Sequence, residues 1–109
     1  MIDVHVYRQG TQIVRFTVSG HAGYAESGQD IVCSAVSALV YNAVNSCEKF
    51  VHAKLDAVDD GDTIDCRVPK LGDFEARSVQ LLLDSMVFGL EQTASSYPQY
   101  VKLYNHKQP

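Results

Sequence analysis

The chain has 109 residues, 46% of them apolar, and a formal net charge of −4. That is enough for a single domain over residues 1–109 with its own core, which excludes a disordered polymer; the acidic balance excludes a protein built to grip phosphate backbones, so no direct nucleic-acid binding is expected. No apolar run is long enough to span a membrane, and "MIDVHVYRQG" lacks the basic head and apolar middle of a signal peptide, so a cytoplasmic location is expected.

"IDVHVYR" alternates, with Ile2, Val4 and Val6 on one face and Asp3, His5 and Tyr7 on the other, which is the period of a half-buried strand. "RQGTQ" reads as a turn in which Gly10 takes positive φ, and "IVRFTVSG" returns as an antiparallel strand. After the loop "GHAGYAESGQ", the segment "DIVCSAVSALVYNAVNSCEKFV" has helical period. Its stripe is Val32, Val36, Leu39, Val40, Ala43, Cys47 and Phe50, with Asp30 as the expected N-cap. "KLDAVDDGDTIDCRVP" reads as a hairpin around "DDGD", ended by Pro69. "FEARSVQLLLDSMVFGLEQTASSYP" is a second helix with Val79, Leu82, Leu83, Met86, Val87, Leu90 and Ala94 as its stripe, stopped at Tyr97-Pro98. "YVKLY" is a last short strand.

The order β-β-α-β-β-α-β predicts an α+β two-layer sandwich. Two amphipathic helices bury their stripes on one face of a mostly antiparallel sheet.

Three cysteines, Cys33, Cys47 and Cys66, make no disulfide framework. Cys47 falls on the apolar stripe and Cys66 alternates with Ile64 and Val68, so both read as small buried hydrophobes. Cys33 is different. With Asp30 as N-cap it lies in the first helical turn, where unpaired N–H groups and the helix dipole favour a thiolate and can receive an oxyanion. His21 lies at the end of the preceding strand, and Gly20, Gly23 and Gly28 let the connection fold back. The pair could serve as nucleophile and general base. Spacing alone leaves the bland reading open, in which Cys33 packs in the core and His21 is a surface residue. His5 and His52 are read as surface residues, and His106 lies near the end of the chain, where disorder is common. Asp30 caps the helix and has a second possible role in orienting His21, for which Glu26 is a weaker candidate. Ser37, one turn after Cys33, either bonds near the site or bonds back to the helix backbone.

Metal binding fails on count: there is no Cys-x-x-Cys, no His-x-x-x-His and no second pair at zinc spacing. "GYAESG" lacks the GK[ST] ending of a phosphate-binding loop. No metal and no cofactor are expected.

"GHAGYAESGQDIVCSAVSAL" resembles the signature of the ribosomal-processing cysteine proteases, the Prp family, and the match in length and element order covers nearly the whole chain. The resemblance implies a cytoplasmic cysteine endopeptidase. It would remove a short N-terminal extension from a large-subunit ribosomal protein, cutting after paired aromatic residues. It aligns His21 and Cys33 with the catalytic dyad and Gly20, Asp30 and Ser37 with other signature positions. It also implies a homodimer. Gly23 and Gly28 lie in the intervening loop, which is expected to order over substrate. The rival reading is a non-catalytic ribosome-assembly protein that binds a basic ribosomal protein.

Overall fold

The computed structural model describes residues 1–20 and 27–109. The element order is β1 (Ile2–Gln9), β2 (Gln12–Ser19), α1 (Ser27–Val51), β3 (Asp56–Asp59), β4 (Thr63–Arg67), α2 (Asp73–Ser96) and β5 (Val101–Lys107). This is the predicted order. The five strands form one sheet in the order β3-β4-β2-β1-β5. The pairings β1–β2, β2–β4 and β3–β4 are antiparallel. β5 instead runs parallel to β1, with Ile2 opposite Val101 and Val4 opposite Leu103.

One sheet face is apolar because the period-2 pattern holds in nearly every strand. Ile2, Val4, Val6, Phe16, Val18, Ile64, Cys66 and Val101 are all buried on it. Ile13 joins them although it is three residues from Phe16, because the β1–β2 register shifts between Tyr7 and Arg8: Tyr7 faces Arg15 and Arg8 faces Ile13, leaving Val14 as the extra residue. The carbonyl of Val14 accepts from the Val68 N–H at 3.0 Å instead. Over this face lie α1, which buries Val32, Val36, Val40, Ala43 and Cys47, and α2, which buries Val79, Leu83, Met86, Val87 and Leu90. The two helices lie side by side. Gly89 of α2 leaves room for Leu39 of α1, whose methyl groups would stand 3.0–3.2 Å from any Cβ built there.

Three expectations change. Phe50 does not join the α1 stripe: it sits on the last helical turn and is 70% exposed. The core at that end is closed by Ala53 and Leu55, once His52 at φ 59° has turned the chain inward. His106 is not in a frayed tail. It lies in β5 on the outer sheet face, where its Nε2 meets Nδ1 of His5 at 2.8 Å. Tyr104 stacks on His5 and Tyr7 on His106, with centroids 4.5 and 4.6 Å apart. Finally, α1 starts at Ser27, so Asp30 lies inside the first turn rather than capping it.

Candidate active site

The earlier start of α1 moves Cys33 relative to the helix end. It is the seventh residue of the helix, about 9 Å from its start at 1.5 Å per residue. The unpaired N–H groups belong to the first turn, so the Cys33 N–H is inside the helical ladder and does not serve as the oxyanion donor expected from a cap at Asp30. The dipole contribution, which falls off within the first turn, is also smaller there.

What α1 does give Cys33 is position. Val32 before it and Val36 after it are buried, whereas Cys33 itself is half-buried and packs on the edge of the core, on the flank of the stripe. Ser37 is four residues on, hence on the same flank, and is also half-buried. Leu39, which meets α2 through Gly89, points to the opposite flank, so Cys33 and Ser37 lie on the side of α1 away from α2.

The three thiols are all reduced, and their surroundings separate them. Burial raises the Cys47 thiol above its ordinary value. Burial, reinforced by Cys47, Asp56 and Asp65, pushes Cys66 up to about 12. Both are neutral near pH 7 and shielded from reagents, as their apolar periodicity predicted. Iodoacetamide on the folded protein should therefore modify Cys33 well before Cys47 or Cys66, read by peptide mapping. Equal labelling of all three would contradict this.

His21, Gly23 and most of the loop expected to order over substrate lie outside the described residues; Gly28 enters the first turn of α1. An orienting contact from Asp30 or Glu26 to His21 is likewise not placed. The residue that launches this segment is described. Gly20 ends β2 at φ 86°, in the left-handed region, with its backbone tight against the Met1 carbonyl; a Cβ there would overlap that oxygen. Met1 cannot easily yield, because the next residue is held by the Ile2 N–H bond to the Tyr100 carbonyl at 2.7 Å. Gly20→Ala should thus lower Tm by several degrees, since strain of this kind costs about 1–3 kcal/mol, and should also displace the chain entering His21. Unchanged melting by calorimetry would count against the role.

The sheet register shows what surrounds this end of the molecule. Ser19, next to Gly20, pairs with Thr63 at the start of β4, so the β3–β4 turn lies at the same end of the sheet. That turn is acidic and closed by its own side-chain hydrogen bonds. Asp59 accepts from the Gly61 N–H at 2.9 Å, and Asp60 accepts from the N–H groups of Asp62 and Thr63 at 2.9 and 2.7 Å. The two backbone donors hold the Asp60 carboxyl below its ordinary range, so it stays ionised. The Tyr41 hydroxyl donates to Asp59, tying the turn to α1 about 12 Å along the helix from Cys33. Negative charge at this end of the sheet, joined to α1 through Tyr41, is a feature that strand periodicity could not reveal.

A two-layer α+β sandwich with one half-buried cysteine on the N-terminal half of a long helix defines a fold and a candidate nucleophile. A family model described as cysteine protease Prp matches residues 1–102. The chain is 36% identical over 94 residues to the ribosomal processing cysteine protease Prp of Bacillus subtilis, covering 84% of each protein. It is 31% identical over 96 residues to the Mycoplasma pneumoniae protein of the same name, covering 85% of this chain and 88% of that one. Among solved structures, a Streptococcus mutans protein superposes with TM-score 0.90 at 29% identity, covering 99% of this chain and 96% of that one. The essential ribosomal processing protease Prp of Staphylococcus aureus, in complex with a substrate peptide, superposes with TM-score 0.85 at 26% identity over 96% of this chain and 99% of that one. The same enzyme with a covalently linked product peptide gives TM-score 0.81 at 28% identity with the same coverage.

The protein is therefore a cysteine protease. It belongs to the Prp family, as the motif around His21 and Cys33 suggested, and the reading of a non-catalytic assembly protein falls.

Proposed function

We propose that this protease removes a short N-terminal extension from a large-subunit ribosomal protein in the cytoplasm, using Cys33 as nucleophile and His21 as general base, and that it works as a homodimer. The observation that carries this reading is the likeness of nearly the whole chain to a ribosomal processing protease that forms a covalent link with its product peptide. Such a link is what a nucleophilic cysteine makes.

The chemistry runs in two stages. His21 takes the thiol proton, and the Cys33 sulfur attacks the carbonyl carbon of the scissile peptide. The bond to nitrogen breaks as His21 returns the proton to the leaving amine, which leaves a thioester. Water, deprotonated by His21, then attacks the thioester and releases the carboxylate and the thiol. The signature positions Gly20 and Ser37 support the site: Gly20 by directing the chain into His21, Ser37 by sharing the Cys33 flank of α1.

The acidic β3–β4 turn favours a basic protein substrate over RNA. Opposite charge speeds encounter and is screened within about 10 Å at 0.1 M salt. The test is incubation with basic ribosomal proteins bearing N-terminal extensions, read by mass spectrometry. One extension should be trimmed after paired aromatic residues, with kcat/KM falling as salt rises. A substrate peptide with Phe-Phe before the cut should be cleaved well and its Ala-Ala counterpart poorly. Equal cleavage of the two peptides would remove the aromatic preference, and a salt-independent rate on the intact protein would remove the electrostatic part.

A further inference from the structure

The face of the sheet turned away from the helices carries a file of side chains that runs across three strands. Lys102 Nζ lies over the Tyr104 ring, 5.3 Å from its centre. Tyr104 stacks on His5 at 4.5 Å, His5 on His106 at 5.1 Å and His106 on Tyr7 at 4.6 Å, all with planes within 18° of parallel. The Arg15 guanidinium closes the other end, 5.0 Å from the centre of the Tyr7 ring. Register builds this file. His5 stands opposite Tyr104, and Tyr7 stands between His106 on β5 and Arg15 on β2, so alternate residues of the strands meet on one face. The ring faces are taken up by one another and by the two cations, which makes the file a strand fastening rather than a platform for stacking bases.

At the middle of the file, Nδ1 of His5 and Nε2 of His106 are 2.8 Å apart. That gap holds one hydrogen: one nitrogen donates, and the other must keep its lone pair to accept. A single proton added to the pair leaves this arrangement intact and makes the bond charge-assisted. A second does not. Both facing nitrogens then carry hydrogen, and two like charges stand on rings 5.1 Å apart. The geometry points to a latch on β5 that acid releases: while one facing nitrogen keeps its lone pair the two imidazoles bind β5 to β1, and when both are protonated they drive the strands apart. Imidazole is the side chain that changes charge in the weakly acidic range, so the release belongs there.

The groups facing the pair do not offset a second charge. On this face β1 presents Asp3 and Tyr7, β5 presents Lys102 and Tyr104, and β2 presents Arg15, Thr17 and Ser19. Asp3 is the one carboxylate among these, and it stands opposite Lys102. Asp65 of β4, opposite Thr17, is held by Arg15 through two bonds of 3.0 and 2.8 Å. The file therefore carries a cation at each end before any histidine is charged. An unfolded chain binds both protons freely, whereas the native pair must give up its bond to take the second, so stability falls as pH falls. β5 is where the loss is felt. It is an edge strand paired with β1 alone, and Val101, at its start, is its one buried residue. The bond from the Ile2 N–H to the Tyr100 carbonyl holds that upper end independently of the histidines. Release is thus confined to the stretch from Tyr104 to Lys107, away from Gly20 and the chain leading to His21.

Amide hydrogen exchange of the full chain, read by NMR at about pH 7.5 and about pH 5 and corrected for the intrinsic rate, tests this. In the wild type, the β5 amides after Tyr104 should lose roughly 10-fold or more of their protection at the lower pH, the worth of about one hydrogen bond, while Ile2 and the β2–β4 pairing keep theirs. His106→Gln and His5→Gln replace one imidazole with a side chain that does not titrate, so each should flatten this pH dependence. His52 and His21 remain in both variants, so a loss that persists has another source. Wild-type protection that is equal at the two pH values overturns the inference, as does a loss of the same size in both variants. If a variant fails to fold, nitrogen-15 spectra of the wild-type imidazoles at the lower pH decide: His5 and His106 both doubly protonated on a fully protected β5 also overturns it. No readout involves cleavage, so the outcome is separate from that of the proposed substrate.

Discussion

Cys33→Ala is expected to reduce peptide-bond cleavage to background while leaving the fold in place. No other described cysteine can substitute. Cys47 and Cys66 are fully buried in the core, with thiols held neutral by that burial. Cys33 is only half-buried at the margin of that core, so removing its sulfur leaves a small, partly solvated gap and costs about 1 kcal/mol or less. Calorimetry should show Tm within about 4–8 °C of wild type, while a substrate assay by mass spectrometry shows no product. Measurable turnover in Cys33→Ala would exclude it as the nucleophile. Cys47→Ala and Cys66→Ala should behave in the opposite way: activity persists in whatever fraction folds, and stability drops because a fully buried side chain is lost.

His21→Ala is expected to lower kcat by roughly 10²–10⁴-fold, with a much smaller change in KM. An ordinary thiol near pKa 8.5 is a few per cent ionised at pH 7, so loss of the base leaves some thiolate. Loss of the proton donor to the leaving amine is the larger defect, because an amine leaves poorly without a proton. The residual rate should then rise with pH as more thiolate forms. His5→Ala and His106→Ala provide the contrast. These imidazoles bond to each other on the outer face of β1 and β5, the face away from the helices, so their loss should affect the fastening of the edge strand and not kcat. Normal activity in His21→Ala, with a collapse in His5→Ala, would reverse the assignment.

Much of this molecule was legible in its residues alone, for a common physical reason. Alternation in "IDVHVYR" and the three- and four-residue steps in the two long segments report which side of an element is buried, and burial is a local property of each element. The faces of β1, β4, α1 and α2 could therefore be read correctly, and so could the two buried cysteines. Gly10 and Gly61, at φ 64° and 94°, mark turns for the equally local reason that other residues rarely adopt such angles. The Gly-His and Asp-Ile-Val-Cys motifs pointed to the family.

What periodicity does not report is which faces meet. The parallel docking of β5 on β1, and with it the pairing of His106 with His5 across about a hundred residues, depends on how two distant strands share one core. Only the sheet register brings the acidic β3–β4 turn to the end where Gly20 launches the chain toward His21. α1 starts at Ser27, ahead of the cap expected at Asp30, because local sequence fixes a helix end only to within a few residues. In the run "QLLLDSMVFGL", apolar residues surround much of the helix, so periodicity alone left Leu81 and Phe88 unassigned, while Leu82 does pack against the core at its edge. The sheet decided which side of α2 it could cover. Leu83, Met86, Val87 and Leu90 went beneath, and Phe74, Leu81 and Phe88 were left outside, because a single sheet face can bury only one side of a helix.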